Sequence, residues 1–301
     1  MKQVWLWILA LLVILVWAET FVSSKVLLDY GLMPADIFFY RFILSYVCLI
    51  FLSHKRVLCM SWADELLCVL LGITGGSLYF LCENMALKFS TASNVAILVG
   101  TTPLLTALRL AVFYHEERLS RRQVLGSFIA FVGLVLVVLN GQLVLHLNPV
   151  GDALAMGASV TWALYSLFIK RLSGRYDVMF VTRKVFAYGL ITILPWFVWV
   201  EPLQLTPAIL SQPVVWVNLL YLGLIAAMGC FLLWNWLLPR LGVVKATNLI
   251  YSQSAFTMFI AAIVLGERIT LMAVAGVITL TLGMLLATRK SRLRLSSHRR
   301  H

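Results

Sequence analysis

Apolar residues run almost without a break from Val4 to Val22, and Glu19 is the first carboxylate among them. A short polar connection follows, then another apolar run, and this alternation continues to residue 288. A helix crossing the hydrocarbon core of a bilayer needs about 20 mostly apolar residues. Ten stretches approach that length: 4–24, 36–53, 66–87, 91–113, 123–139, 151–169, 180–199, 214–237, 245–265 and 270–288. The connections are short and carry turn punctuation, as in "YGLMPAD", "NGQLVLHLNP" and "EPLQLTPAILSQP". None is long enough to be a separate soluble domain. The pattern predicts an all-α membrane protein of ten transmembrane helices. The first run is long and meets a polar patch in place of a small-residue cleavage site, so it is expected to be an uncleaved span.

Composition agrees with the pattern. The chain is 62% hydrophobic and 12% charged, whereas a soluble domain is about half apolar and a quarter charged. The net charge of +12 sits in short connections and in the tail "TRKSRLRLSSHRRH", which points to an anionic lipid surface as partner and away from nucleic acid. With the N-terminus inside, the inner connections carry Lys2, Lys55, Arg56, Arg118, Arg121, Arg122, Lys170, Arg171, Arg175, Arg240, Lys245 and the tail. The outer ones carry only Lys25, Lys88 and Arg268. Both termini are therefore expected in the cytoplasm. The five cysteines and five histidines show no metal spacing and no disulfide framework. No cofactor or metal is implied, and no nucleotide-binding or nucleophile motif is present.

The chain also resembles itself. "WAETFVSSK" (17–25) lies over "WALYSLFIK" (162–170), and "FFYRFILSY" (38–46) over "FVTRKVFAY" (180–188). "LGITGGSLYFLCEN" (71–84) lies over "LGLIAAMGCFLLWN" (222–235), and "EERLSRRQVLGSFIAFVG" (116–133) over "GERITLMAVAGVITLTLG" (266–283). The order is the same throughout. Two units, 1–144 and 145–288, are predicted, followed by a basic tail over 289–301. With five spans in each, the second unit enters the membrane in the opposite sense, an inverted repeat of the kind found in alternating-access transporters.

These residues carry a family resemblance. The early Trp of each half, Arg41 in the second span, and "TTPLLTALRLAVFYHEERLSRRQVLG" with its echo "SQSAFTMFIAAIVLGERITLMAVAG" look like the EamA-type branch of the drug/metabolite transporter superfamily. The resemblance covers the whole chain. Pro103 fits the pattern while Ser254 replaces its counterpart, and the adjacent Glu116 and Glu117 stand where one glutamate is usual. It implies a secondary transporter of the bacterial inner membrane that exports or exchanges small metabolites, commonly amino acids, or drugs.

Candidate chemistry comes from polar residues that the repeat does not share. Glu19 aligns with Leu164, Glu83 with Trp234, Arg109 with Ile260, Asn248 with Ile97 and Tyr251 with Gly100. Glu19, Arg41 and Glu83 lie at one depth, roughly 7–9 Å below the outer surface at 1.5 Å per residue. Intramembrane charge is costly and pairs or faces water. Arg41 is expected to pair with one glutamate, freeing the other for a proton or a substrate amine. Helical spacing places Gly76, Tyr79 and Glu83 on one face, and Asn94 and Thr101 on another. Trp162 and Tyr165 share a third, and Asn248, Tyr251 and Ser252 a fourth. With Trp17, these make an aromatic cavity with a few polar groups, suited to a small-molecule solute. Arg109 is expected to snorkel, and Glu117 and Glu267 to cap helix ends. An intramembrane lipid-modifying enzyme using Glu19 and Glu83 as acid and base is the alternative, without the nucleophile or acidic metal cluster such a site would need. Protons are the candidate counter-ion. No exposed small-residue face selects an oligomeric state.

Overall fold

The computed structural model describes residues 4–53, 57–90, 92–103, 105–106, 121–139, 148–204, 207–265 and 270–288. Among them the regular structure is helical. In chain order the helices are α1 (Val4–Asp29), α2 (Pro34–Leu52), α3 (Trp62–Gly72), α4 (Leu78–Phe89), α5 (Ala92–Val99), α6 (Arg121–Leu139) and α7 (Pro149–Leu172). Then follow α8 (Val178–Trp199), the short α9 (Pro207–Leu210), α10 (Pro213–Leu220), α11 (Cys230–Leu241), α12 (Val243–Asn248), α13 (Tyr251–Leu265) and α14 (Leu271–Thr288). Six segments are long and apolar enough to cross a membrane: α1, α2, Trp62–Phe89, α7, α8 and Pro213–Leu241. The fourth, fifth, ninth and tenth expected spans coincide with shorter helices. Glu116, Glu117, Glu267, Arg109, all five histidines and the basic tail lie outside the described residues.

Local chemistry starts and stops these helices. Ser61 accepts from the Asp64 amide at 3.2 Å, and Asp177 accepts from the Met179 amide at 3.0 Å. Asn148 accepts from the amides of Val150 and Gly151, ahead of Pro149 in the first turn. Each occupies otherwise orphaned N-terminal donors. Gly242, at φ +87°, separates α11 from α12 by adopting a backbone region that side chains disfavour.

The two long segments Trp62–Phe89 and Pro213–Leu241 each pass through a π-helical stretch, Ile73–Ser77 and Tyr221–Gly229. The sequence alignment of the halves superposes these stretches. Such bulges interrupt the i→i+4 ladder and often occur at functional positions. Gly72 opens the first and packs on the backbone of Tyr188 and Gly189 in α8; Gly223, in the second, packs on Leu44 and the Arg41 carbonyl in α2. Ser45 fastens the latter contact, its hydroxyl lying 2.8 Å from the Arg41 carbonyl and 2.6 Å from the Gly223 carbonyl.

Helices α6 and α14 pack antiparallel along glycines. A Cβ on Gly126 would come within 2.7 Å of the Gly283 carbonyl, and one on Gly133 within 2.7 Å of the Gly276 carbonyl. The repeat alignment exchanges these two contacts. Elsewhere, α3 is tied to α8 by a buried network. Lys184 and Tyr188 both donate to Glu65 Oε1, the Cys59 amide donates to Oε2 at 2.8 Å, and Lys184 also donates to the Val57 carbonyl at 2.9 Å. Lys184→Met should lower stability by about 3–5 kcal/mol, because it leaves the Glu65 charge unpaired. Adding Glu65→Gln should recover most of that loss in thermal melts of the detergent-solubilised protein. Equal losses in single and double variants would contradict this account.

Candidate functional site

At the centre of the bundle, Trp17, Thr20, Arg41, Tyr79, Phe80, Glu83, Val99, Thr102, Trp162, Phe231, Ile250 and Gln253 enclose a cavity of about 30 Å³. That holds about two waters, so a solute requires the helices to separate. Its aromatic wall is built ring on ring. Trp17 meets Trp162 edge-on at 5.4 Å between centroids, and Trp162 meets Phe231 edge-on at 5.6 Å and Tyr79 at 4.8 Å.

Arg41 and Glu83 bring opposite charges to this wall, with only 2% and 6% of their surfaces exposed. The guanidinium lies over the Phe80 ring, 4.3 Å from its centroid, an attraction between cation and ring quadrupole. Arg41, with Tyr79, is the electrostatic neighbour of the Glu83 carboxyl. The two do not form a direct ion pair, unlike Lys184 with Glu65 and Arg175 with Asp64. Arg41 Nε and Trp162 Nε1 are buried donors without a partner. Unpartnered buried donors are costly in an apolar setting. Both residues line the cavity.

The remaining candidates lie elsewhere. Glu19 does not line the cavity: its Oε1 accepts from Ser23 at 2.7 Å and its Oε2 is buried without a partner. Tyr221 lies beside it and donates to the Val16 carbonyl at 2.8 Å. Thr101 lies within 2.7 Å of the Ser159 hydroxyl, between α5 and α7. Asn248 accepts from Ser127 at 3.2 Å, and Tyr251 packs with Ala130, Leu134 and Leu280, so both face the α6–α14 pair. Tyr165 is wholly buried behind Trp162. The Asn94 side chain is outside the described residues. Among the described residues no group of His, Cys, Asp and Glu is arranged to hold a metal.

The model of the EamA-like transporter family matches this chain twice, over residues 4–139 and 149–289. The chain belongs to the EamA-like transporter family. Its relatives agree with the membership. A protein of Salmonella typhimurium named "Probable amino-acid metabolite efflux pump" is 29% identical over 92% of each chain. One of Streptantibioticus cattleyicolor named "Probable terminal-alkyne amino-acid exporter" is 27% identical over 96% of this chain and 94% of its own. An "Uncharacterized transporter" of Archaeoglobus fulgidus is 28% identical over 94% and 97%. A solved crystal structure matches with a TM-score of 0.75 at 19% identity, over 93% of this chain and 97% of the other, a likeness of fold.

Several cavity residues of the EamA-like chain escape a search for unmatched polar positions. Thr102 and Gln253 occupy equivalent places in the repeat, and both reach the cavity. Thr102 pairs with the Ser159 hydroxyl at 2.9 Å, and the Gln253 side-chain amide donates to the Trp17 carbonyl at 3.2 Å. Each lies just past a helix break, at Gly100–Thr101 and Leu249–Ile250. Broken helices at equivalent positions of two halves are the signal that would have found them.

Proposed function

We propose that this chain is a secondary carrier that exports small zwitterionic metabolites, amino acids or close derivatives, by alternating access. The observation that carries the reading is that Arg41 and Glu83 both line one aromatic cavity with Trp162, and that Arg41 Nε and Trp162 Nε1 are unused donors. A solute carboxylate would take those donors, since a guanidinium binds carboxylates with charge-assisted hydrogen bonds. The ammonium group would face Glu83 and the ring faces of Tyr79 and Trp17. The side chain would lie against Phe231, Val99 and Ile250. The contracted cavity makes binding and helix movement one event, which is what alternating access requires.

The architecture we assign is ten spans in two inverted five-helix units, 1–144 and 145–288, with both termini in the cytoplasm of a bacterial inner membrane. Three observations support it. The family model matches the two halves separately. Both halves carry a π-helical stretch at equivalent positions. The glycine contacts of α6 and α14 exchange under the repeat alignment. The names of two relatives as an efflux pump and an exporter support the direction.

Counterflow in proteoliposomes tests the reading. Trapped unlabelled amino acid should drive saturable uptake of the labelled compound, recovered chemically unchanged. Amino-acid esters should not substitute. Equal counterflow of simple amines or monocarboxylates would contradict the zwitterion reading, and a chemically altered product would contradict the carrier. Imposed proton gradients, with Glu19→Gln and Glu83→Gln, would separate antiport from facilitated diffusion.

A further inference from the structure

A second cavity of about 510 Å³ lies at the end of the bundle where α7 ends, α8 begins and α11 ends; Ser173, Tyr176, Asn235, Trp236 and Arg240 are on its wall. Tyr165 bridges a residue on the wall of each cavity, Trp162 of the central one and Asn235 of the second. The Tyr165 ring stacks on Trp162, centroids 5.0 Å apart, and Trp162 lines the central cavity. The Tyr165 hydroxyl donates to Asn235 Oδ1 at 2.6 Å, and Asn235 lines the second cavity. Asn235 Nδ2 then donates to Thr182 at 2.9 Å. A single chain of side chains thus ties α7, α11 and α8. Gly75, in the first π-helical stretch, makes room for the ring: a Cβ there would come within 2.6 Å of Tyr165 Cε2.

The repeat alignment places Thr20 opposite Tyr165 and Asn84 opposite Asn235. At that mirror position the bond is missing. Asn84 Nδ2 donates to the Pro34 carbonyl at 3.0 Å, but its Oδ1 is buried without a partner. Thr20 spends its hydroxyl on the Trp17 carbonyl at 2.7 Å, lines the cavity, and is too short to stand in for a tyrosine. The two ends of the bundle are therefore latched unequally.

We infer that Tyr165 and Asn235 form the gate at one end of the transport path. Breaking their hydrogen bond joins the two cavities into one with room for an amino-acid-sized solute, within the volume usual for small-molecule sites. The absent bond at Asn84 biases the resting protein toward closure at the Tyr165 end. Tyr165 then acts by controlling access, and the solute is held by the residues in front of it. This inference rests on the carrier reading for its use, and on the repeat for its mirror argument.

The test reads access without reading transport. In a variant lacking the native cysteines, Val99→Cys reports on the central cavity and Ser173→Cys identifies the membrane face of the second one. A membrane-impermeant maleimide is applied to each face of oriented vesicles. Tyr165→Phe, which removes only the hydroxyl, should speed labelling of Val99→Cys from the Ser173 face about tenfold, the population shift that one buried hydrogen bond makes. Gly75→Ala, which displaces the ring, should do the same, and labelling from the other face should not rise. Unchanged rates in both variants, or equal increases from both faces, would overturn the gate. Faster labelling without amino-acid counterflow would leave the gate standing and reject the proposed substrate. Counterflow with unchanged labelling would do the reverse.

Discussion

Arg41→Gln is expected to reduce amino-acid counterflow by about a hundredfold or more while leaving the protein folded at normal levels in the membrane. The size follows from the loss of a desolvated charge-to-carboxylate contact, worth roughly 2–5 kcal/mol. The direction of the stability change separates this from a purely structural role. Arg41 is almost wholly buried, its Nε has no partner, and it makes no direct ion pair with Glu83. A charge held that way costs folding energy. Replacing it with a neutral side chain of similar reach should leave the melting temperature unchanged or raise it. An arginine that only fastened helices together would lower it. Arg41→Lys should be intermediate in transport, keeping the charge and losing the planar fork. Counterflow rates beside thermal melts of the same preparations measure both quantities. Full transport in Arg41→Gln would contradict the proposed site.

Gly126→Val should be strongly destabilising. A Cβ at that position would meet the Gly283 carbonyl at 2.7 Å and the backbone of Ala287, neither of which can rotate away as a side chain would. Overpacking of this kind costs about 1–3 kcal/mol even for a small addition, so Gly126→Ala should already lower the melting temperature and valine should prevent recovery of monodisperse protein. Gly133→Ala should lose about as much as Gly126→Ala, because its Cβ would meet the Gly276 carbonyl at the same 2.7 Å. Gly157→Ala is the control, since its Cβ would meet only Cys82 Sγ at 3.5 Å. Fluorescence-detected size exclusion after heating gives the comparison. Equal tolerance at 126 and 157 would contradict the close packing of α6 on α14.

Much of the helical framework was legible because about twenty consecutive apolar residues have few other uses. The π-helical stretches were not. Gly76 was grouped with Tyr79 and Glu83 by spacing alone, and what Gly75 and Gly76 accommodate, the Tyr165 ring and the α8 backbone, comes from distant parts of the chain. Arg41, Glu83, Trp17 and Trp162 stood out because charge and indole are conspicuous in an apolar run, and they meet at one cavity. Glu19 stood out for the same reason, yet depth along a helix says nothing about direction around it. Two residues past Trp17 is a rotation of about 200°, which carries Glu19 to the Tyr221 side. Asn248 and Tyr251 were grouped by the spacing of a continuous helix. The break at Leu249–Ile250 ends that regularity, and Gln253 reaches the cavity instead.

Direct binding of a radiolabelled amino acid to the detergent-solubilised protein tests the central claim, that Arg41 and Glu83 together recognise a zwitterion. Saturable binding should be displaced by the unlabelled amino acid, but not by its methyl ester or its N-acetyl derivative, and should be lost in both Arg41→Gln and Glu83→Gln. Full displacement by either derivative, or unchanged affinity in both variants, would contradict it.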